Sequence, residues 1–116
     1  MKIKPILPSL REKKRYLVFE IISKNKITDF AMVSNAIVNN TLSFLGELGT
    51  AKAGINMLRD KFDTASSRGI IRVNNSYVDS LRSALSLISN FNGEQAIVRS
   101  VGVSGILKKA CNKYLS

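Results

Sequence analysis

The alternation of apolar and polar residues changes period along the chain, which divides it into strands and helices. Between Arg15 and Ile22 the apolar residues Leu17, Phe19 and Ile21 occupy every second position, the period of a half-buried strand. Three further strands are predicted at Gly54–Phe62, Gly69–Val73 and Ala96–Val101. The second and third of the four strands are close enough in sequence to form an antiparallel hairpin.

Two long segments instead repeat apolar residues with the period of an α-helix. In the first, Thr28 is predicted to cap the helix, and Gly46 and Gly49 are predicted to end it. The apolar stripe of this helix consists of Phe30, Val33, Ile37 and Phe44. The second helix is predicted from a polar cluster at Asn74–Ser76 to about Phe91, where Asn92–Gly93 breaks the chain.

A last, shorter helix is predicted from about Ile106 to Leu115, with Ser104 as its N-cap and Gly105 at its start. The resulting order is βαββαβ followed by a C-terminal helix. This order predicts an α+β fold, the split-βαβ (ferredoxin-like or RRM-like) sandwich with an antiparallel four-stranded sheet. Two helices cover one face of such a sheet, and the other face is expected to be open.

The 116 residues are sufficient for one domain, predicted over 1–116. Pro5 and Pro8 disfavour helix, so residues 1–13 are predicted as an extended basic arm. On the open face the first strand presents Tyr16, Val18 and Ile22 with little polar cover. We therefore predict that these three side chains form an interface with another protein.

The charge is strongly positive, with 18 Lys and Arg against 8 Asp and Glu, a net charge of +10 and a pI near 10.1. Most of it lies at the two chain ends: residues 1–15 carry +5 and residues 104–116 carry +3. A domain pI above ~9 is typical of nucleic-acid binding, although an anionic membrane surface is a rival partner. The residues predicted to contact RNA are Arg11, Lys13, Lys14, Arg15, Lys52, Arg68, Arg72, Lys108, Lys109 and Lys113.

The mode of RNA binding predicted from these residues is contact with phosphates. The third predicted strand lacks aromatic residues, and the first offers only Tyr16 on its open face, so base stacking of the RRM type is poorly supported. Lysine and arginine contacts to phosphate position an RNA and give salt-dependent affinity without reading its sequence.

The sequence offers no recognisable catalytic or metal site. Histidine is absent, Cys111 is the single cysteine, and no phosphate-binding glycine loop is present. No bound cofactor or metal is therefore predicted for the chain, and an enzyme acting alone is disfavoured. The single cysteine and the lack of an apolar leader or membrane span predict a cytoplasmic location.

Four landmarks in the right order resemble archaeal ribonuclease P protein component 2. The first landmark is Pro8–Glu20, PSLREKKRYLVFE. The second and third are the glycine-rich segment Gly46–Ala53 and the short strand Gly69–Arg72. The fourth landmark is the sequence Gly102–Gly105 followed by the basic stretch Lys108–Leu115. Together these landmarks span most of the chain.

The resemblance implies a non-catalytic subunit of a ribonucleoprotein that removes 5′ leaders from precursor tRNA. It implies that the RNA is the catalyst, with magnesium held by the RNA. Ribonuclease P RNA, precursor tRNA, protein component 3 and other protein subunits are the expected partners, with pairs of proteins forming a heterotetramer. The alternatives are a ribosomal or other RNA-scaffold protein, and an independent enzyme or small-ligand domain of the same fold.

Overall fold

The structure is a computed structural model that describes residues 13–115. Of the predicted basic arm, it describes Lys13 alone; the remaining arm residues, including Arg11, lie outside the described residues. The strands and helices, in chain order, are β1 (Lys14–Ser23), α1 (Phe30–Ala53), β2 (Asn56–Met57), β3 (Arg68–Asn74), α2 (Val78–Ser86), β4 (Asn90–Phe91), β5 (Glu94–Ser104) and α3 (Leu107–Ala110). A π-helical turn, Cys111–Leu115, continues α3.

The strands form an antiparallel sheet in the order β2-β3-β1-β5-β4. The α+β class is confirmed, but the prediction of four strands is wrong because the sheet has five. The additional strand, β4, contains Phe91, which the helical period had placed at the end of the second helix. Helix α2 ends at Ser86, and Asn92 and Gly93 then adopt φ values of 51° and 89°. Such a two-residue turn folds β4 back onto β5.

The predicted second strand is correct only at Asn56–Met57, which pairs with β3 as the first strand of the expected hairpin. Beyond it the chain forms a short 3₁₀ turn at Arg59–Lys61. The backbone still follows the edge of β3, since the Leu58 N–H donates to the Ile70 carbonyl oxygen over 3.1 Å. The outer edge of β3 is therefore covered by strand and loop together.

Helix α1 begins one residue later than predicted and extends further. Asp29, not Thr28, is the N-cap, and its Oδ1 accepts a hydrogen bond from the Ala31 N–H at 3.0 Å. Gly46 does not end the helix but kinks it, with φ 76° and ψ 174°, and α1 ends at Ala53, followed by its C-cap Gly54 in the left-handed conformation. No helix within residues 13–115, including α1 with its 24 residues, combines the length and apolar character needed to cross a membrane.

The main core lies between one face of the sheet, here called the first face, and helices α1 and α2. Leu17, Phe19 and Ile21 of β1 point into it, as their alternation predicted. The other buried residues of this core are Ile27, Val33, Ile37, Ala53, Ile71, Val73, Leu81, Leu85, Ile88, Phe91, Ala96 and Val98. Phe44, which the helical stripe had placed in the core, is exposed, and its neighbour Leu45 packs against the core instead.

The opposite, second face is not open along its whole length. A second core joins Val18, Ile70 and Ala110, where residues Leu107–Leu115, here called the C-terminal segment, lie against the sheet. Val18 is fully buried beneath this segment, so the prediction that it is exposed on an open face is wrong. The apolar side of the last helix was predicted, but the surface it covers was not.

Candidate RNA-binding surface

Three chain segments bring lysines together at one corner of the sheet. The Lys14 ammonium donates to the Asn74 side-chain oxygen, which joins the start of β1 to the end of β3. The Asn74 amide nitrogen donates in turn to the Lys52 carbonyl oxygen at 2.6 Å, which joins the end of α1. The Lys13 carbonyl oxygen accepts from the Asn75 N–H at 2.7 Å. All three lysine side chains are exposed.

The end of β5 reaches the same corner. Tyr16 of β1 pairs with Ser104 of β5, and the next residue, Gly105, lies beside Arg15. The Arg15 Nη1 lies only 3.3 Å from the position that a Cβ on Gly105 would occupy. Lys108 and Lys109, both exposed, follow in the first residues of α3.

The described residues of the two basic chain ends therefore approach each other where Arg15 lies beside Gly105. We call this surface the basic corner and define it as Lys13, Lys14, Arg15, Lys52, Lys108 and Lys109. It contains six of the nine predicted RNA-contacting residues that the structure describes. Six cations in one region, without an acidic residue paired to any of them among the described residues, favour the binding of a polyanion.

Lys113 lies apart from the basic corner, toward the other end of the C-terminal segment. Its ammonium is 5.5 Å from the centroid of the Tyr114 ring, and the Tyr114 carbonyl oxygen accepts from Arg68 Nη1 at 2.7 Å. Lys113 is nevertheless exposed.

Arg68 and Arg72 of β3 are oriented toward the second face rather than freely into solvent. Arg68 donates through Nε to Glu20 at 3.1 Å and through Nη1 to the Tyr114 carbonyl, and its side chain is 27% exposed. Arg72 is half-buried, and its Nε is buried without a hydrogen-bond partner among the described residues. Arg68 therefore has an intramolecular role that the sequence did not predict, since its partners come from distant parts of the chain.

Glu20 connects Arg68 to another arginine, Arg99. Arg99 of β5 donates through Nε to Glu20 Oε1 at 2.7 Å, while Arg68 donates to Oε2. The hydrogen bond from Arg99, followed by that from Arg68, holds the pKa of the Glu20 carboxyl below its ordinary value, although burial opposes this. The carboxylate thus stays ionised between two cations.

The predicted protein interface is divided by the C-terminal segment. Tyr16 is half-buried against it, Val18 is buried beneath it, and Ile22 remains 46% exposed. Ile22 pairs across the strands with Ile97, which is 55% exposed. Sequence reasoning missed Ile97 because Ala96–Val101 was read as a strand without assigning its alternate residues to a face.

Ser104 does not cap the last helix as predicted. It ends β5, and its Oγ accepts from the Ile106 N–H at 3.2 Å, which closes a tight turn. Ile106 occupies the N-cap position and has no capping side chain. Within residues 13–115, no group of three or more His, Cys, Asp or Glu side chains is placed to hold a metal ion.

Comparisons with known proteins agree across nearly the whole chain. The model of the Rpp14/Pop5 family matches residues 15–115. The chain is 44% identical over 116 residues to ribonuclease P protein component 2 of Pyrococcus abyssi, covering 100% of this chain and 96% of the relative. It is 34% identical over 113 residues to the protein of the same name from Methanosarcina mazei, covering 97% and 93%.

A solved structure supports the fold independently. A chain in the structure of yeast ribonuclease MRP superimposes with a TM-score of 0.65 at 18% identity, covering 82% of this chain and 76% of that one. The family model and the full-length relatives lead to one assignment. The chain belongs to the Rpp14/Pop5 family of ribonuclease P protein subunits.

Proposed function

We propose that this subunit supports the removal of 5′ leaders from precursor tRNA by binding ribonuclease P RNA through the basic corner and stabilising its active shape. The observation that supports the proposal is the proximity of Arg15 to Gly105, which shortly precedes Lys108 and Lys109 in the chain. The chemical step belongs to the RNA, and magnesium is held by the RNA rather than by this chain.

The physical role of the basic corner is to offset repulsion between phosphates. A folded RNA brings backbone segments close together, and lysine and arginine side chains replace the counterions that would otherwise screen them. Arg15 can donate to a phosphate through two N–H groups, whereas the lysines act as point charges. The corner therefore recognises the backbone and shape of the RNA more than its bases.

The second face argues against RNA binding of the RRM type. The strand order β2-β3-β1-β5 supports a split-βαβ origin for four of the strands. In RRM domains the free sheet face stacks bases on aromatic residues, but here the C-terminal segment lies over Val18 and Ile70. The RNA contact is therefore assigned to the corner of the sheet and not to its face.

The proposed partners also include precursor tRNA, protein component 3 and further protein subunits, with pairs assembling into a heterotetramer in the cytoplasm. Helix α1 supports an association of this kind through its outer apolar side chains. Four of them are exposed within residues 13–115: Val38, Leu42, Phe44 and Leu48. Such a run of exposed apolar residues is typical of a surface that a partner covers.

The proposal is tested by reconstituting the holoenzyme from its RNA and proteins with and without this chain. We expect omission to reduce cleavage of precursor tRNA at the 5′ leader, most strongly at low magnesium, where the RNA depends most on protein cations. Unchanged cleavage without the chain would contradict the proposal. Copurification of ribosomal RNA in place of ribonuclease P RNA would favour the ribosomal alternative.

A further inference from the structure

The two edges of the sheet are covered to different extents by neighbouring segments. On one side, the outer edge of β3 is covered by β2, by the Leu58 N–H bonded to Ile70, and by a bridge between Asp63 and Arg68. On the other side, β5 is eleven residues long, but β4 pairs only with its first two, Glu94 and Gln95. The rest of the outer edge of β5 has no strand beside it among residues 13–115.

The direction of the backbone groups on β5 follows from one hydrogen bond. The Ala96 N–H donates outward to the Ser89 carbonyl oxygen at 3.0 Å. Since N–H and C=O groups alternate in direction along a strand, Val98 and the N–H of Ser100 also face outward. Neither residue makes a backbone hydrogen bond outside its pairing with β1 among the described residues. A row of outward donors and acceptors without a backbone partner therefore extends from the Ala96 carbonyl oxygen to the Ser100 N–H.

The length of this row is limited by a β-bulge. The register between β1 and β5 shifts at Val18/Phe19, so that Val101 has no opposing residue and the strand bends there. Before the bulge, the edge contains no proline and no lysine, the residues that usually discourage strand addition. The row from 96 to 100 can accommodate about two or three side-chain pairs of an added strand.

The side chains next to this edge provide both apolar and charged contacts. Ile97 and Ile22 form an exposed cross-strand pair on the second face, beyond the reach of the C-terminal segment. Arg99 lies beside them with its side chain 54% exposed. A segment added to β5 would place alternate side chains in contact with Ile97 and Arg99.

The charges favour an acidic partner protein over a second copy of the chain or an RNA. Arg68 and Arg99 share the single carboxylate of Glu20, which leaves a local excess of positive charge. Pairing two copies through β5 would bring these excess charges and the net +10 of each chain together. RNA lacks the alternating peptide donors and acceptors that the edge requires, and aliphatic Ile22 and Ile97 provide no stacking platform.

We propose that residues 96–100 of β5 bind an extended, acidic segment of another protein as an additional β-strand. The segment places an apolar side chain against Ile22 and Ile97 and a carboxylate beside Arg99, while its main chain pairs with Val98 and Ser100. The inference rests on the proposed function to the extent that the partner is another protein subunit of the same ribonucleoprotein.

Amide hydrogen exchange of the full chain, measured by NMR, tests strand addition without RNA. The purified protein subunits of the organism's ribonuclease P are added one at a time, beginning with component 3. For one subunit at saturation, we expect exchange of the Val98 and Ser100 amides to slow by at least about tenfold, the result of pairing an open edge. The Ile97 and Arg99 amides, which face β1, serve as internal references.

A pair of variants tests the side-chain contacts. Ile97→Asp should weaken binding of that subunit by about tenfold or more, because it replaces an apolar contact with a charge. Leu87→Asp is the matched control, since Leu87 is similarly exposed at the C-cap of α2, which packs on the first face. Both variants alter exposed positions, and thermal unfolding establishes that each remains folded.

Three outcomes would overturn the proposal. The first is that no subunit protects Val98 and Ser100, or that the subunit binds Ile97→Asp as tightly as the unaltered chain. The second is that the two amides are protected by ribonuclease P RNA alone. The third is that they are protected by self-association, seen as a mass increase in sedimentation. Because this assay contains no precursor tRNA, its failure is distinguishable from failure of the cleavage assay.

Discussion

Glu20 links three strands through a single carboxylate. It lies on β1 and accepts hydrogen bonds from Arg68 of β3 and Arg99 of β5, which flank β1 on either side. The Glu20 side chain is only 20% exposed, so the two guanidinium groups also compensate for its partial removal from water. One acidic residue therefore fixes both neighbouring strands at the boundary between the covered and uncovered parts of the second face.

The lowered pKa of Glu20 makes this contribution dependent on pH. Because the folded-state pKa lies below the ordinary value of 4.5, the carboxylate stabilises the fold above pH 4.5 and loses this effect as pH falls through the folded-state pKa. We expect Glu20→Gln to be less stable than the unaltered chain near neutral pH, with a difference that shrinks below pH 4.5. Urea unfolding across pH 3 to 7 measures it, and a difference independent of pH would contradict it.

Arg68 was predicted to contact RNA, but its intramolecular partners indicate that it contributes to the stability of the fold. Arg68→Gln removes the ion pair with Glu20 and weakens the hold on the Tyr114 carbonyl, at a cost of about 1–2 kcal/mol given its partial exposure. Denaturant unfolding measures the change. Arg82→Gln is the control, because the Arg82–Asp79 pair is exposed, with N–O at 3.6 Å, and should contribute about 0.5 kcal/mol or less.

At the scale of elements, the C-terminal segment is short but buries a complete second core. Four α-helical and five π-helical residues place Ala110 and Tyr114 over Val18 and Ile70. Gly102 of β5 lies directly under the Tyr114 ring, and a Cβ at this position would overlap it. A glycine is thus required for the segment to approach the sheet so closely.

Gly102→Ala should therefore displace the C-terminal segment. Because the overlapping atoms belong to the Tyr114 side chain and not to the backbone, the ring can move aside, and we expect a loss of about 1–3 kcal/mol rather than complete unfolding. Cys111, half-buried in the same core, should react faster with a thiol reagent. Ser100→Ala provides the control, as Ser100 is exposed on the same strand; equal Cys111 reactivity in both variants would contradict the expectation.

Sequence reasoning predicted the elements with a strong period and missed those set by tertiary contacts. The alternation around Leu17 and Phe19 located β1 to within one residue at each end. In contrast, β4 is two residues long and has no period of its own, so Phe91 was assigned to the preceding helix. Gly46 was predicted to end α1, but helix resumes after the kink and continues to the better C-cap at Gly54.

For the whole molecule, the main electrostatic feature is the meeting of two distant parts of the chain at the basic corner. Replacing Lys13, Lys14 and Arg15 with alanine should reduce the salt dependence of RNA binding by up to about three cations, each contributing ~0.7–0.9 to the slope of log K against log salt. The three side chains are exposed or half-buried, so stability should change little. Filter binding across salt concentrations measures the slope.

The matched control removes the same charge from the opposite end of β1. Lys24 and Lys26 follow the end of β1 at Ser23, and Lys26 lies near Asp63. Lys61 is close to Asp63 in the chain, so all three lysines lie away from the basic corner. Replacing these three with alanine should leave the salt slope within about one cation of the unaltered value. Equal slopes for the two triple variants would show that net charge, and not the corner, determines binding.

The charge of the candidate site could be predicted from sequence, but the partners of individual residues could not. Lysines at chain ends remain exposed in almost any fold, so Lys14 and Lys108 were identified by position alone. Arg68 and Val18 depend on where the C-terminal segment lies, and that is decided by its contacts with Ile70 and Gly102. No local pattern encodes a contact between residues so far apart in the chain.

The central position of β1 has a consequence for synthesis. The first described strand is completed on its second side by β5, residues Glu94–Ser104, which the ribosome makes only after α1, β3, α2 and β4. Leu17 and Phe19 therefore lack their neighbours on β5 until these elements have been translated. Premature termination before residue 94 would leave one edge of β1 unpaired, so truncated products should be captured by chaperones or degraded instead of entering the ribonucleoprotein.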